Sequence, residues 1–268
     1  MSAALTSLQV KQAQPQWAAL FISDLHLTPD MPHTAKAFFN FLNTKALQTQ
    51  ALYLLGDIFE YWAGDDDIND TFNQSIVTAL AALSKHGIKI YWLAGNRDFL
   101  VADKFADACG LQILNEPVIT EIAGKKILVL HGDAQCTDDT AYMTFRAQVR
   151  DPAWQQDFLN QDLHQRKALI ATMRAGSKDA QKNKSMDIMD VNLAAIDALF
   201  ESHQVNLMIH GHTHRPHQHQ HQTKQGVCIR FVLPDWDYDA EKTRGGWLSI
   251  NQAGEFSLVT NAEPTFTP

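Results

Sequence analysis

Five short stretches decide how this chain folds: FISDLHL (residues 21–27), LYLLGDIFE (52–60), YWLAGNRDF (91–99), ILVLHGD (127–133) and LMIHGHTH (207–214). Each is an apolar, strand-like run that ends at once in Gly, Asp, Asn or His. The ends carry Asp24, His26, Asp57, Asn96, Arg97, His131, His212 and His214. Apart from Arg97, these are hard oxygen and imidazole donors. Several strands delivering such donors to one sheet edge would produce this pattern, because α/β folds place their sites at strand carboxyl ends.

Outward from these stretches, apolar runs at 20–23, 51–55, 88–94 and 127–130 alternate with helical stretches at 34–47 and 71–86, which predicts an α/β layer architecture. Residues 134–192 break the rhythm. They contain no convincing strand and carry Phe145, Val149, Phe158, Leu159, Leu163 and Met173 at helical spacings, with Asp151-Pro152 at a helix boundary. The expected organisation is a core of 18–133 and 193–258, a helical insertion of 134–192 over the site, and terminal extensions of 1–17 and 259–268. Strand signals return at 207–209, 228–233 and 247–250, the last two expected as an antiparallel end to the sheet.

The 268 residues suffice for one large domain, or a domain with an insertion. Hydrophobic content of 45% and charged content of 19% are those of a globular protein. A net charge of -8 argues against a general nucleic-acid binder. Lys and Arg cluster at 166–184, which leaves room for a local site for a phosphorylated substrate. Three scattered cysteines without a CxxC predict free thiols and a reducing compartment. No secretory pattern opens the chain, and no apolar run reaches the ~20 residues of a membrane span, so a cytosolic protein is expected.

Seven donors without a thiolate, Asp24, His26, Asp57, Asn96, His131, His212 and His214, suit Mn²⁺, Fe²⁺ or Zn²⁺ in a two-ion site. Asp24 and His26 are two apart, as are His212 and His214, and on an extended segment such pairs share a side. Asp57 stands alone, and its carboxylate is the natural bridge between two ions. A lone Asp after Gly, or a lone His, is more often structural; seven in order are not. Other features take plainer readings. His217, His219 and His221 are expected on one exposed strand face, and Asp65, Asp66 and Asp67 in a solvated turn.

At these residues the chain resembles the calcineurin-like metallophosphoesterases, whose signature runs D-x-H, G-D, G-N-[HR]-[DE], H and G-H-x-H. The resemblance implies a two-sheet α/β/β/α sandwich and two metals. One would take Asp24, His26, Asp57 and His214; the other would take Asp57, Asn96, His131 and His212. Many members have His after the Asn, but here Arg97 stands there. Arginine cannot act as a general acid near neutral pH, though it can stabilise phosphoryl charge. That leans toward a substrate with a good leaving group, such as a diphosphate.

Segments GDIFEYWAGDD, GNRDFL, HGDAQCTDD, Asp-Pro-x-Trp, IMDVN and GHTHRP further resemble the UDP-2,3-diacylglucosamine diphosphatases of lipid A biosynthesis. This resemblance covers residues 20 to about 247, insertion included. It implies Mn²⁺-dependent hydrolysis of UDP-2,3-diacylglucosamine to UMP and 2,3-diacylglucosamine 1-phosphate, with water attacking the uridine-side phosphorus. The protein would be a monomer bound peripherally at the cytoplasmic face of the bacterial inner membrane, with no nucleic-acid partner. Asn96, Arg97, Asp139, Ser177, Lys184 and His212 match its substrate-binding positions, while Gln181 stands where Asn is common. Trp62, Phe99, Leu100 and Phe145 are candidates for the acyl chamber, with plain core packing as the alternative for each. Trp154, Phe158 and Leu159, with Arg150, Arg166 and Lys167, form an amphipathic set that either lies on the membrane or packs on the body. Three other functions remain open: a phosphoesterase for soluble nucleotides, a scaffold without catalysis, and a nuclease.

Overall fold

The computed structural model describes residues 15–181 and 190–262, with residues 175–181 described by backbone alone. Its first half runs β1 (Trp17–Ile22), α1 (Pro32–Thr44), β2 (Thr49–Leu55), α2 (Thr71–Lys85), β3 (Lys89–Leu93), α3 (Asp103–Cys109) and β4 (Gln112–Leu114). Then come β5 (Val118–Ile122), β6 (Lys125–Val129), α4 (Thr140–Val149), α5 (Pro152–Leu159) and α6 (Leu163–Gln181). The chain closes with α7 (Leu193–His203), β7 (Leu207–His210), β8 (His217–Thr223), β9 (Gly226–Val232), β10 (Gly246–Asn251) and β11 (Phe256–Thr260).

Local chemistry sets the helix ends. Pro32 opens α1 at a position where its missing N–H costs nothing. The side chains of Asp70, Asp139 and Asp151 cap α2, α4 and α5 by accepting from backbone N–H groups of the first turn. Gly110 ends α3 in the left-handed conformation.

Two sheets result, of orders β11-β10-β1-β2-β3-β4 and β5-β6-β7-β9-β8. Burial on both faces explains why central strands such as β1 and β7 are apolar at successive positions. Leu20 and Ile22 of β1 pack with Phe38, Phe41, Leu80 and Phe105 under α1–α3. Ala19 and Phe21 point the other way, into a core shared with Ile127, Val129, Ile209 and Phe231 of the second sheet. On that sheet's outer face, Leu128, Leu130 and Met208 pack against Ile196 and Phe200 of α7. The layers are therefore helix, sheet, sheet, helix.

Three expectations need correction. The strands at 226–232 and 246–251 do not share a sheet: β9 pairs with β7 and β8, whereas β10 pairs antiparallel with β1. The connection crosses between the sheets, pinned by Leu233 N–H to His210 O at 2.8 Å and Trp236 N–H to Asp24 O at 2.9 Å. Nor is the histidine face of β8 uniformly exposed. His217 is exposed and His219 half-buried, but His221 is buried, because the strand twists its end under α7.

The aspartates at 65–67 form a short 3₁₀ turn in which only Asp66 is exposed. Asp65 accepts from Trp62 Nε1 at 2.9 Å and from the Ala102 and Phe105 amides at 3.1 and 3.0 Å, so it caps α3 from outside. Asp66 is bound by Arg166, and buried Asp67 by Lys167 at 2.6 Å.

Those ion pairs fasten α6 to the core. The amphipathic set on α5 and α6 likewise turns inward. Trp154 stacks on Phe158 with centroids 5.1 Å apart, Phe158 is buried, and Arg166 is 2% exposed. Leu159 stays exposed. No described helix is long and apolar enough to cross a membrane.

Because Asp65 satisfies three donors at once, Asp65→Ala is expected to lower unfolding free energy by about 2 kcal/mol in urea titration. Asp30→Ala, on the exposed surface, leaves the midpoint unchanged.

Candidate metal centre and adjoining pocket

All five stretches meet where the carboxyl ends of β1, β2 and β3 face those of β6 and β7. The β1 and β2 exits are joined by backbone bonds: Asp24 N–H to Gly56 O at 3.1 Å, and Leu25 and His26 N–H to Asp57 O at 2.9 Å each. Beyond the strands the backbone turns left-handed. Asp24, His26, Asp57, His212 and His214 have φ of 56°, 49°, 53°, 68° and 54°. Such values are uncommon outside glycine, and Asp and His are among the side chains that tolerate them best. Asp24/His26 and His212/His214 therefore share a side because of these turns, not through strand alternation; β1 ends at Ile22 and β7 at His210. Two glycines make room for the carboxylates. A Cβ on Gly95 would collide with Asp57 Oδ1, and one on Gly211 with Asp24 Oδ2.

Asp24, Asp57 and His131 form a buried floor, while Asn96, Arg97, His26, His212 and His214 rise toward solvent. Possible ligand atoms of Asp24, His26 and His214 all lie within 4.8 Å of one another, as do those of Asp24, Asp57 and His131. Asp24 is common to both groups, and Asp57 of the second also nears His26, with Oδ2 4.0 Å from His26 Nε2 and Oδ1 3.7 Å from His131 Nε2. Asn96 Oδ1 is 3.1 Å from His131 Nε2, and the His131 and His212 rings are 5.1 Å apart.

The imidazoles are oriented from behind. His131 Nδ1 meets Leu55 O at 2.8 Å, and a carbonyl only accepts, so that nitrogen carries the proton. His26 Nδ1 faces Glu60 Oε2 at 3.1 Å and His214 Nδ1 faces Asp235 Oδ2 at 3.6 Å. Each arrangement leaves Nε2 turned into the cleft, as metal ligation requires.

Electrostatics agree. Burial would lower the His131 pKa, yet the charges of Asp57, Asp24, Asp133 and Glu116 lift it to about 9. Burial would raise Asp24, but the hydrogen bond and charge of His214, then His131 and His26, hold it well below the usual carboxylate range. Among the described residues, buried Asp24 Oδ1 makes no well-formed hydrogen bond, and its neighbour there is His214 Nε2 at 3.5 Å. Convergent carboxylates and an orphaned oxygen are the environment a divalent cation satisfies, so the residues fit such ions.

A second space opens beside the centre. It is lined by Asn96 and Arg97 at one end, and by Phe99, Phe145, Trp154 and Ile170 along its walls. Trp62 and Leu100 also border it, although both are buried in the core; Trp62 packs against Phe59 and Phe105. The backbone N–H of Arg97 donates to Asp57 Oδ1 at 2.8 Å, tying the pocket-lining residue to the buried carboxylate. Asp139 caps α4 through the Tyr142 amide at 3.0 Å. The side chains of Ser177 and Gln181, and all of Lys184, lie outside the described residues.

Several site residues escape a reading of the sequence. Buried Asp98 accepts from the Gly95, Asp57 and Ile58 amides at 2.8, 3.2 and 2.8 Å, and burial plus the charge of Asp57 push its pKa up to about 6. Buried Asp133 accepts from Tyr142 Oη at 2.6 Å and Arg146 Nε at 2.9 Å. Glu116 accepts the His131 amide at 2.6 Å and pairs with Arg146 at 3.1 Å. Arg150 donates to Gly95 O at 2.9 Å, and Arg174 of α6 pairs with Glu60. Asp98 and Asp133 had a signal, since each follows a ligand within two residues. The helix arginines had none, because their partners are distant in sequence.

Comparison with known proteins agrees with this geometry. Residues 19–216 match the family model of the calcineurin-like phosphoesterases. A UDP-2,3-diacylglucosamine hydrolase of Aromatoleum aromaticum is 48% identical over 85% of this chain and 92% of its own length. Proteins of the same name from Bordetella pertussis and Escherichia coli O6:H1 are each 45% identical, covering 93% and 82% of this chain and 97% and 91% of their own. The chain belongs to the calcineurin-like phosphoesterase family and is a metal-dependent hydrolase.

Proposed function

We propose that this enzyme cleaves the pyrophosphate bond of UDP-2,3-diacylglucosamine to give UMP and 2,3-diacylglucosamine 1-phosphate, as a step of lipid A biosynthesis. The observation that carries this proposal is the placement of Asn96 and Arg97 between the metal centre and an apolar pocket. A diphosphate with lipid on one side needs that juxtaposition. The name borne by the relatives supports it.

One ion would be held by Asp24, His26, Asp57 and His214, the other by Asp57, Asn96, His131 and His212, with Mn²⁺ as the proposed metal. Bound there, a cation pair supplies a water of lowered pKa and screens charge on the phosphoryl oxygens. The chain's residues do the rest. Arg97 steadies the phosphoryl group and, being always charged, gives no proton to the leaving group. A departing phosphate needs none, and by the family resemblance attack would fall on the uridine-side phosphorus. His212 serves both as ligand and as substrate neighbour.

Asp139, Ser177, Gln181 and Lys184 are proposed to hold the glucosamine and phosphate, and Trp62, Phe99, Leu100 and Phe145 the acyl chains. Helices α4–α6 would then form a lid. All proposed ligands come from one chain, so a monomer suffices. Acyl chains anchor the substrate in a bilayer, which would put the enzyme at the cytoplasmic face of the inner membrane.

Isotope labelling, kinetics and thermal melts test this. In ¹⁸O water, with Mn²⁺ returned to stripped enzyme, the label is expected in UMP; label in the sugar phosphate refutes attack on the uridine side. Arg97→Ala is expected to lower kcat by about 10²–10³-fold. Mn²⁺ at a hundred times its Kd should stabilise the stripped protein by about 2.7 kcal/mol in thermal melts. Asp57→Ala should abolish both that gain and UMP release.

A further inference from the structure

Behind the second sheet lies a polar chain, buried except at its outer end, that the proposed chemistry does not use. It links Asp197 on α7, His221 on β8, Arg230 on β9 and His210 at the end of β7. His221 Nδ1 meets Asp197 Oδ1 at 2.8 Å. Arg230 donates from Nε to His221 Nε2 at 3.1 Å and from Nη1 to His210 Nε2 at 2.9 Å. His210 Nδ1 meets Gly211 O at 2.8 Å.

A guanidinium only donates, so both imidazoles must accept at Nε2 and carry their protons on Nδ1. Burial and the charge of Arg230 push the His210 pKa down to about 3, in keeping with a neutral ring. Arg230, 3% exposed, is an expensive residue to bury unless its bonds are made.

The inner end of this chain reaches a metal ligand. The Gly211–His212 peptide is held from both sides. Its carbonyl accepts from His210 Nδ1 and from the Thr213 amide at 2.8 Å, and its N–H donates to Asp24 Oδ2 at 2.9 Å. That peptide carries His212 at φ 68°, a conformation that needs support from its surroundings.

We infer that Arg230 is a positioning residue: by fixing the His210 ring it locks the Gly211–His212 peptide, and with it the metal-facing geometry of His212 and Asp24. The inference rests on the metal centre proposed above.

Its test is Mn²⁺ binding to stripped, full-length protein without substrate, followed by calorimetry and by the Mn²⁺ EPR spectrum. Arg230→Met, folded by near-ultraviolet circular dichroism, should bind one of two Mn²⁺ about 10–100-fold more weakly, with an altered spectrum. Arg230→Lys, which lacks the fork that spans two rings, should fall between it and the wild type. UMP release should lose kcat with KM unchanged. Two Mn²⁺ held at wild-type affinity by folded Arg230→Met overturns the inference. Should that variant fail to fold, His221→Phe removes the outer acceptor and should weaken the same Mn²⁺; wild-type affinity there overturns the inference equally. Wild-type protein that binds no Mn²⁺ instead removes the metal-centre proposal.

Discussion

Two carboxylates, Asp24 and Asp57, are buried side by side at the floor of the cleft, and the surrounding structure answers to the cost of burying them there. Around them stand three imidazoles with Nε2 turned inward, peptide N–H groups from Arg97 and His212, and glycines small enough to let the loops close in. Without metal, the field of these carboxylates would leave His131 cationic; with metal, the same field becomes binding energy. The left-handed turns follow from this demand. They bring short side chains into a small volume from strands that would otherwise splay apart.

Support continues outward in layers. Glu60, Glu116 and Asp235 face His26, the His131 backbone and His214, and Arg146, Arg174 and Arg244 face those acids in turn. Two of these arginines lie on α4 and α6. The helices between β6 and α7 are thereby tied electrostatically to the ligand loops, not only by apolar packing. The position of these helices and the orientation of His26 and His131 are physically connected.

Much of this was legible in the sequence. An apolar run closed by Gly-Asp or Gly-Asn announces a strand end, and the order of five such ends allowed the residues that converge at the cleft to be written by number. The α/β alternation from 18 to 131 was equally plain. Pairing was harder to read, because β9 and β10 are both apolar and alternate alike, and nothing local says that 233–245 crosses between sheets. Burial of His221 also depends on distant partners, Arg230 and Asp197, which only the folded chain brings together. For Asp65–Asp67 composition misleads, because three adjacent acids suggest water when their partners are amides and cations up to a hundred positions away.

The donors do not all come from one layer: Asp24, His26, Asp57 and Asn96 leave the six-stranded sheet, whereas His131, His212 and His214 leave the five-stranded one. Ions seated among them would act as rivets across the seam of the sandwich. Stripping them would slacken the joint between two halves of the molecule, so hydrogen exchange at the facing ends of β2 and β6 would report occupancy from outside the active cleft.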